Sequence, residues 1–357
     1  MITYRFGKAR SWAGYGRALR ALVTSVPSVP VEARKLGRTG REVSVVGLGT
    51  WQLGADWGEV SEHDARAVLD AAAAAGVTLL DTADVYGDGR SEQIIGQFLR
   101  ANPGLDMLVA TKMGRRVALD PALYTLDNFR AWTDRSRANL GTGRLDLVQL
   151  HCPPTPVYDR DEVYDALDTL VAEERIAAYG VSVETCAEAL TAIARPGVAS
   201  VQIILNAFRR KPLEQVLPAA RAAGVGILAR VPLASGLLSG RYGLDTTFPA
   251  DDHRTYNRHG ESFDAGETFS GVDYATGVAA AREFAALAPD GATPAQTALR
   301  WIIQQPGVTT VIPGARNPDQ ARQNAAAAGL PPLPDSALTA IEDLYTSRIR
   351  PLVHDRW

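Results

Sequence analysis

Short apolar runs rich in β-branched residues recur between about residues 43 and 312, separated by Ala-rich stretches of helical period. They fall at 43–46, 78–80, 107–110, 147–150, 178–181, 201–205, 226–231 and 308–312. Strands buried on both faces read as continuous apolar runs, and eight is the number that closes a parallel barrel. The expected class is therefore α/β, a (β/α)8 TIM barrel. Helix signals lie between the runs: Ser61 is a candidate N-cap with Asp64 three residues on, and Gly76 follows an Ala run as a stop. An open doubly wound sheet is the rival, but 47–52 lacks the last glycine of the dinucleotide fingerprint and no helix follows at once. Ahead of the first run, 32–36 and 41–43 flank Gly37-Arg38-Thr39-Gly40, which predicts a β-hairpin able to plug the barrel floor. After the seventh run, 241–275 is polar and aromatic without period, a long loop expected to act as a lid over a substrate.

Composition narrows the partners. The chain has 357 residues, 46% hydrophobic and 22% charged, enough for one large core. No linker-like shift divides 31–357, which is expected to be a single barrel domain. Residues 1–30 differ, with Arg5, Lys8, Arg10, Arg17 and Arg20 and no acid. That opening reads as a disordered extension or an upstream start, with a transit peptide as the alternative. The net charge of −3, spread over both signs, supplies no basic face for nucleic acid or an anionic membrane. A small molecule is the expected partner, acted on by a cytoplasmic monomer or small homo-oligomer. The two cysteines, Cys152 and Cys186, form no disulfide framework, and Cys152 beside His151 lacks the further ligands of a zinc site, so no metal is expected.

Candidate chemistry gathers where strands stop. Asp81, Lys112 and His151 sit at or just past the ends of three successive runs, and Tyr86 follows Asp81 by five residues. A tyrosine ordinarily ionises only at about pH 10, so it needs help to act as an acid at neutral pH. A lysine ammonium stabilises the phenolate and lowers the phenol's pKa, a carboxylate aims the lysine, and a neutral imidazole can orient a carbonyl oxygen. None of the four delivers a hydride, so a cofactor must, and nicotinamide is the default donor.

From about residue 32 onward the chain resembles the aldo-keto reductase superfamily. The matching pieces fall in sequence order: Gly49-Thr50-Trp51, Asp81 with Tyr86, Thr111-Lys112, Gln149-Leu150-His151, Gly180-Val181-Ser182, Gln202 with Asn206, Pro232-Leu233-Ala234-Ser235-Gly236, and Ile312-Pro313-Gly314-Ala315-Arg316. The resemblance implies a barrel that binds NADP(H) across its C-terminal rim and reduces an aldehyde or ketone. Asp81, Tyr86, Lys112 and His151 would be the catalytic tetrad, with Tyr86 as general acid. Ser182 and Gln202 would hold the nicotinamide carboxamide, while Gly49, Thr50 and Asp81 would flank the ribose and Trp51 the substrate pocket. Leu233, Ser235, Gly236 and Arg241 would form the pyrophosphate turn. Gly314 and Arg316 would meet the 2′-phosphate, and Gln320 and Asn324 the adenine.

Two departures stand out. Arg230 occupies the position where many relatives stack an aromatic ring under the nicotinamide, and Val183 follows Ser182 where many have asparagine. The guanidinium of Arg230 can stack on a ring but is cationic, so it would disfavour the oxidised, positively charged cofactor and bias binding toward NADPH. The alternatives left open are a non-catalytic NADP(H)-binding redox-sensing subunit, the same site running oxidatively as a sugar or alcohol dehydrogenase, and a barrel aldolase or hydrolase using Lys112 as a Schiff-base amine.

Overall fold

The computed structural model describes residues 31–54 and 60–357; the expectations for 1–30 lie outside that range. Two strands, β1 (Ala33–Lys35) and β2 (Glu42–Ser44), pair antiparallel as the expected hairpin. Eight parallel strands then pair in chain order: β3 (Leu48–Gly49), β4 (Leu79–Asp81), β5 (Leu108–Met113), β6 (Leu147–His151), β7 (Tyr179–Ser182), β8 (Val198–Ile204), β9 (Gly226–Arg230) and β10 (Thr310–Val311). Parallel bridges Val46↔Val311 and Gly49↔Gly314 join the last strand to the first and close the barrel.

The first barrel strand is not 43–46 as expected from its apolar run. Val43 belongs to the hairpin and is fully buried among Leu36, Leu79, Leu108, Leu147, Leu228 and Ile312, so the run serves the floor plug before the chain enters the barrel. Arg38 fastens the plug by donating to the carbonyls of Arg195, Pro196, Val198 and Ala223 at 2.7 to 3.0 Å. Gly37, at φ +48°, leaves no room for a side chain, because a Cβ there would sit 2.0 Å from the Ala199 carbonyl oxygen.

Helices cross between the strands. The first, α1 (Glu62–Ala74), starts at Ser61, whose hydroxyl accepts from the Asp64 amide at 3.1 Å. Gly76 at φ +83° follows its end, the left-handed turn that a glycine tolerates. The insertion after β9 is folded rather than loose: it carries the short helix His253–Tyr256 and buries Asp252, His253, Arg254, Asn257, Thr268 and Ser270. Its aromatic residues pack on one another, with Phe248, Phe269 and Tyr274 at ring separations of 5.0 to 6.0 Å.

Candidate active site

Strand geometry brings the four candidate catalytic residues to one rim. Asp81 and His151 are the last residues of their strands, Tyr86 opens a 3-10 turn (Tyr86–Gly89), and Lys112 lies within β5, one residue before its end. Lys112 is only 1% exposed, and its ammonium donates to Asp81 Oδ2 at 2.7 Å, the Thr82 carbonyl at 2.8 Å and Tyr86 Oη at 3.3 Å. An ammonium has three protons, and all three are directed here. The other oxygen of Asp81 accepts from Gln202 Nε2 at 2.7 Å. The His151 ring stands edge-on to Tyr86 with centroids 5.9 Å apart.

The charges follow from this packing. Burial opposes the Lys112 ammonium, but Asp81 and Tyr86 outweigh it and raise its pKa, so it stays protonated. Burial pushes the Tyr86 phenol up, and Lys112 only partly offsets the rise. Lys112 therefore limits that rise but does not bring the phenol below its ordinary value, contrary to the expectation from sequence. Burial, then the cations Arg115, Lys112 and Arg230, hold His151 well below the usual imidazole range and keep it neutral.

A cleft of about 580 Å³ runs from Tyr86 to the start of the helix Pro318–Ala326. Gly49, Thr50, Trp51, Asp81, Gln202, Arg230, Leu233, Ser235, Gly236, Arg241, Gly314, Arg316, Gln320 and Asn324 all line it. Ser182 and His151 do not; both are buried, and the Ser182 hydroxyl takes a contact from Cys152 Sγ at 3.3 Å. After β9 the backbone turns through Val231, Ala234, Ser235 and Gly236 at φ +52°, +47°, +55° and +97°. Left-handed residues in succession turn backbone N–H groups to one side, a concavity suited to an anion, and a β-branched residue at positive φ is a strained outlier. At the far end Gln320 Oε1 accepts from the Arg316 amide at 2.8 Å, and Asn324 donates to the Gly314 carbonyl at 3.1 Å. Both amides thus brace the turn that presents Arg316.

Residues 45–346 match the Aldo/keto reductase family. The chain belongs to that family. It is 31% identical over 298 residues to the aldo-keto reductase YhdN of Bacillus subtilis, covering 81% of this chain and 86% of that one. An uncharacterized oxidoreductase of Mycobacterium bovis is 35% identical over 297 residues, covering 81% and 85%. Among solved structures, a glycerol dehydrogenase of Gluconobacter oxydans superposes with a TM-score of 0.74 at 30% identity, covering 89% of this chain and 96% of its own. An aldo/keto reductase of Klebsiella pneumoniae, solved with NADP and acetate, superposes with a TM-score of 0.64 at 25% identity, covering 88% and 95%.

In this aldo/keto reductase Arg230 is not a lone cation. Its guanidinium meets Glu184 at 2.8 Å, the Val183 carbonyl at 3.1 Å and Glu267 at 3.4 Å, and Arg115 joins the same two carboxylates at 3.2 and 3.3 Å. Burial opposes ionisation of Glu267, yet Arg230 and Arg115 hold its carboxyl well below the ordinary range. Burial pushes Glu184 up; Arg230 opposes the rise and Glu267 adds to it. Arg230 is thus paired with carboxylates rather than standing alone beside the cleft. Sequence reading missed this quartet apart from Arg230. The available signal was position: Arg115 and Glu184 each follow a strand end by two residues, as Lys112 and His151 mark strand ends. His253, which as a loop histidine reads more readily as a bystander than as a substrate contact, is buried in the cleft wall with its ring 5.4 Å from Trp51. Cys152, whose thiol burial pushes up to about 12, and Cys186 are both free, and Cys152 is packed against Ser182 as expected of an inert thiol. Among the described residues no helix is long and apolar enough to cross a membrane.

Proposed function

We propose that this protein reduces an aldehyde or ketone to its alcohol with NADPH, Tyr86 acting as general acid. The carrying observation is the Asp81–Lys112–Tyr86 chain, with Lys112 buried at its centre and Asp81 and Tyr86 lining the cleft. Bound NADPH supplies the hydride. Tyr86 gives its proton to the carbonyl oxygen as negative charge develops there, and Lys112 stabilises the phenolate left behind. Asp81 keeps the ammonium aimed, and neutral His151 orients the carbonyl. The fit to the cofactor rests on the positive-φ turn of Ser235 and Gly236, with Arg241 and Arg316 as the cations for pyrophosphate and 2′-phosphate. Gln202 would meet the carboxamide, with Ser182 its register partner on the neighbouring strand.

A Schiff-base role for Lys112 is disfavoured, since an ammonium held by Asp81 has no free lone pair. Retention of all four candidate catalytic residues in one cluster weighs against a purely sensing subunit. The test follows NADPH absorbance with a panel of aldehydes and ketones, using Tyr86→Phe as control. Turnover abolished by that substitution supports the reading, while tight NADPH binding without turnover of any carbonyl would shift it to the sensing subunit.

A further inference from the structure

Glu267 has no part in the roles assigned above, yet it lines the cleft together with Tyr86, Asp81 and Trp51. It comes from the insertion after β9 rather than from the barrel. Its carboxylate is clamped, because the contacts from Arg115, at 3.3 and 3.4 Å, and from Arg230, at 3.4 Å, all fall on Oε1. The guanidiniums and a hydrogen bond shared with Glu184 thereby fix its direction. The side chain retains 12% exposure and lines the same cleft as Tyr86 and His253. The rest of that end is aromatic: the Trp51 ring lies 6.2 Å from Tyr86, 5.4 Å from His253 and 6.2 Å from Phe263. Arg230, the cation beside it, is already engaged by Glu184 and Glu267.

An ionised carboxylate accepts hydrogen bonds and donates none, so it selects a donor and repels an anion. A wall of aromatic faces with one oriented acceptor suits a neutral chain bearing hydroxyls. We propose that Glu267 is a specificity-determining residue that accepts a hydrogen bond from a hydroxyl of the carbonyl substrate, so that the enzyme favours neutral hydroxylated aldehydes or ketones over plain alkyl and carboxylated ones. This rests on the reductase reading of the same site.

The test compares kcat/KM for erythrose, butanal and 4-oxobutanoate, four-carbon aldehydes bearing hydroxyls, neither group, and a carboxylate, in the wild type, Glu267→Gln and Glu267→Ala. The wild type is expected to favour erythrose over butanal by about tenfold or more, the size of one hydrogen bond to a charged group. Glu267→Ala should bring that ratio within about threefold of unity, chiefly through KM. Glu267→Gln keeps an acceptor without the charge; it should retain part of the ratio and improve 4-oxobutanoate by about tenfold. An erythrose-to-butanal ratio equal in all three proteins overturns the proposal. So does a loss confined to NADPH affinity, which would assign the carboxylate to the cofactor. Binding is read separately as quenching of tryptophan fluorescence when erythritol is added to the protein with NADP+. Erythritol binding that weakens in Glu267→Ala supports the proposal even if no aldehyde turns over, a result that would count only against the reductase reading. Binding that is absent, or equal in all three proteins, overturns it.

Discussion

Replacing Lys112 by methionine separates the catalytic from the structural work of the buried pair. Methionine fills much of the same volume but removes the charge that faces Asp81 at 2.7 Å and Tyr86 at 3.3 Å. The Asp81 side chain is 5% exposed, so its carboxylate would be left buried without a cation and with Gln202, at 2.7 Å, as its main donor. Breaking a buried pair from one side costs about 3–5 kcal/mol, and in a protein of this size that lowers Tm by roughly 4–7 °C. Adding Asp81→Asn removes the stranded charge, and the double variant should recover at least about half of the lost stability. Activity should not recover with it. Burial already pushes the Tyr86 phenol up, and Lys112 is the main group opposing that rise. Without it the phenolate has no nearby ammonium, and kcat should fall by about 10²-fold or more, within the usual range for general acid catalysis. NADPH affinity, measured by fluorescence titration, should stay within about threefold, because Lys112 does not line the cleft. A Kd that rises as steeply as kcat falls would refute the argument and assign Lys112 to the cofactor. A single variant as stable as the wild type would refute the electrostatic half.

Three further outcomes follow from the site. With His151 held neutral and the Tyr86 phenol above its ordinary value, the reduction rate should show no imidazole limb and decline only above about pH 10, where the phenol ionises; a pH profile falling between 7 and 9 would contradict this. Arg230→Tyr leaves Glu184 and Glu267 facing one another with Arg115 as their remaining arginine, and should cost about 3 kcal/mol in chemical denaturation. It should also change the ratio of oxidised to reduced cofactor affinity by less than about threefold; a tenfold change would restore the unpaired-cation view. Gly236→Ala would set a Cβ 2.7 Å from the Tyr242 ring at φ +97°, so NADPH affinity should drop by about tenfold, with an unaltered Kd counting against the turn as the pyrophosphate site.

Much of the architecture was legible because barrel strands announce themselves locally. A strand buried on both faces is a short apolar run, and the polar residue that ends it marks the rim, which is how Asp81, Lys112 and His151 stood out. The run at 43–46 misled for the same reason. Val43 is buried under the barrel floor and Val46 beside the closing strand, and both kinds of burial look alike in sequence. The cleft residues between Gly49 and Asn324 carry no shared local signal; they were legible through the family resemblance, and the barrel closure that pairs Gly49 with Gly314 gathers them.

The sequence by itself determined the order of strands and helices, the floor hairpin and the residue types at the rim, since each depends on near neighbours or on period. Tertiary structure decided the electrostatics. Arg115 and Glu267 lie 152 positions apart, and Arg230 and Glu184 lie 46 apart, so no local pattern could reveal that the arginine beside the expected nicotinamide site is paired with two acids. Burial likewise set the Tyr86 phenol above its ordinary value and His151 below, because desolvation depends on everything packed around a group rather than on the residues beside it in the chain.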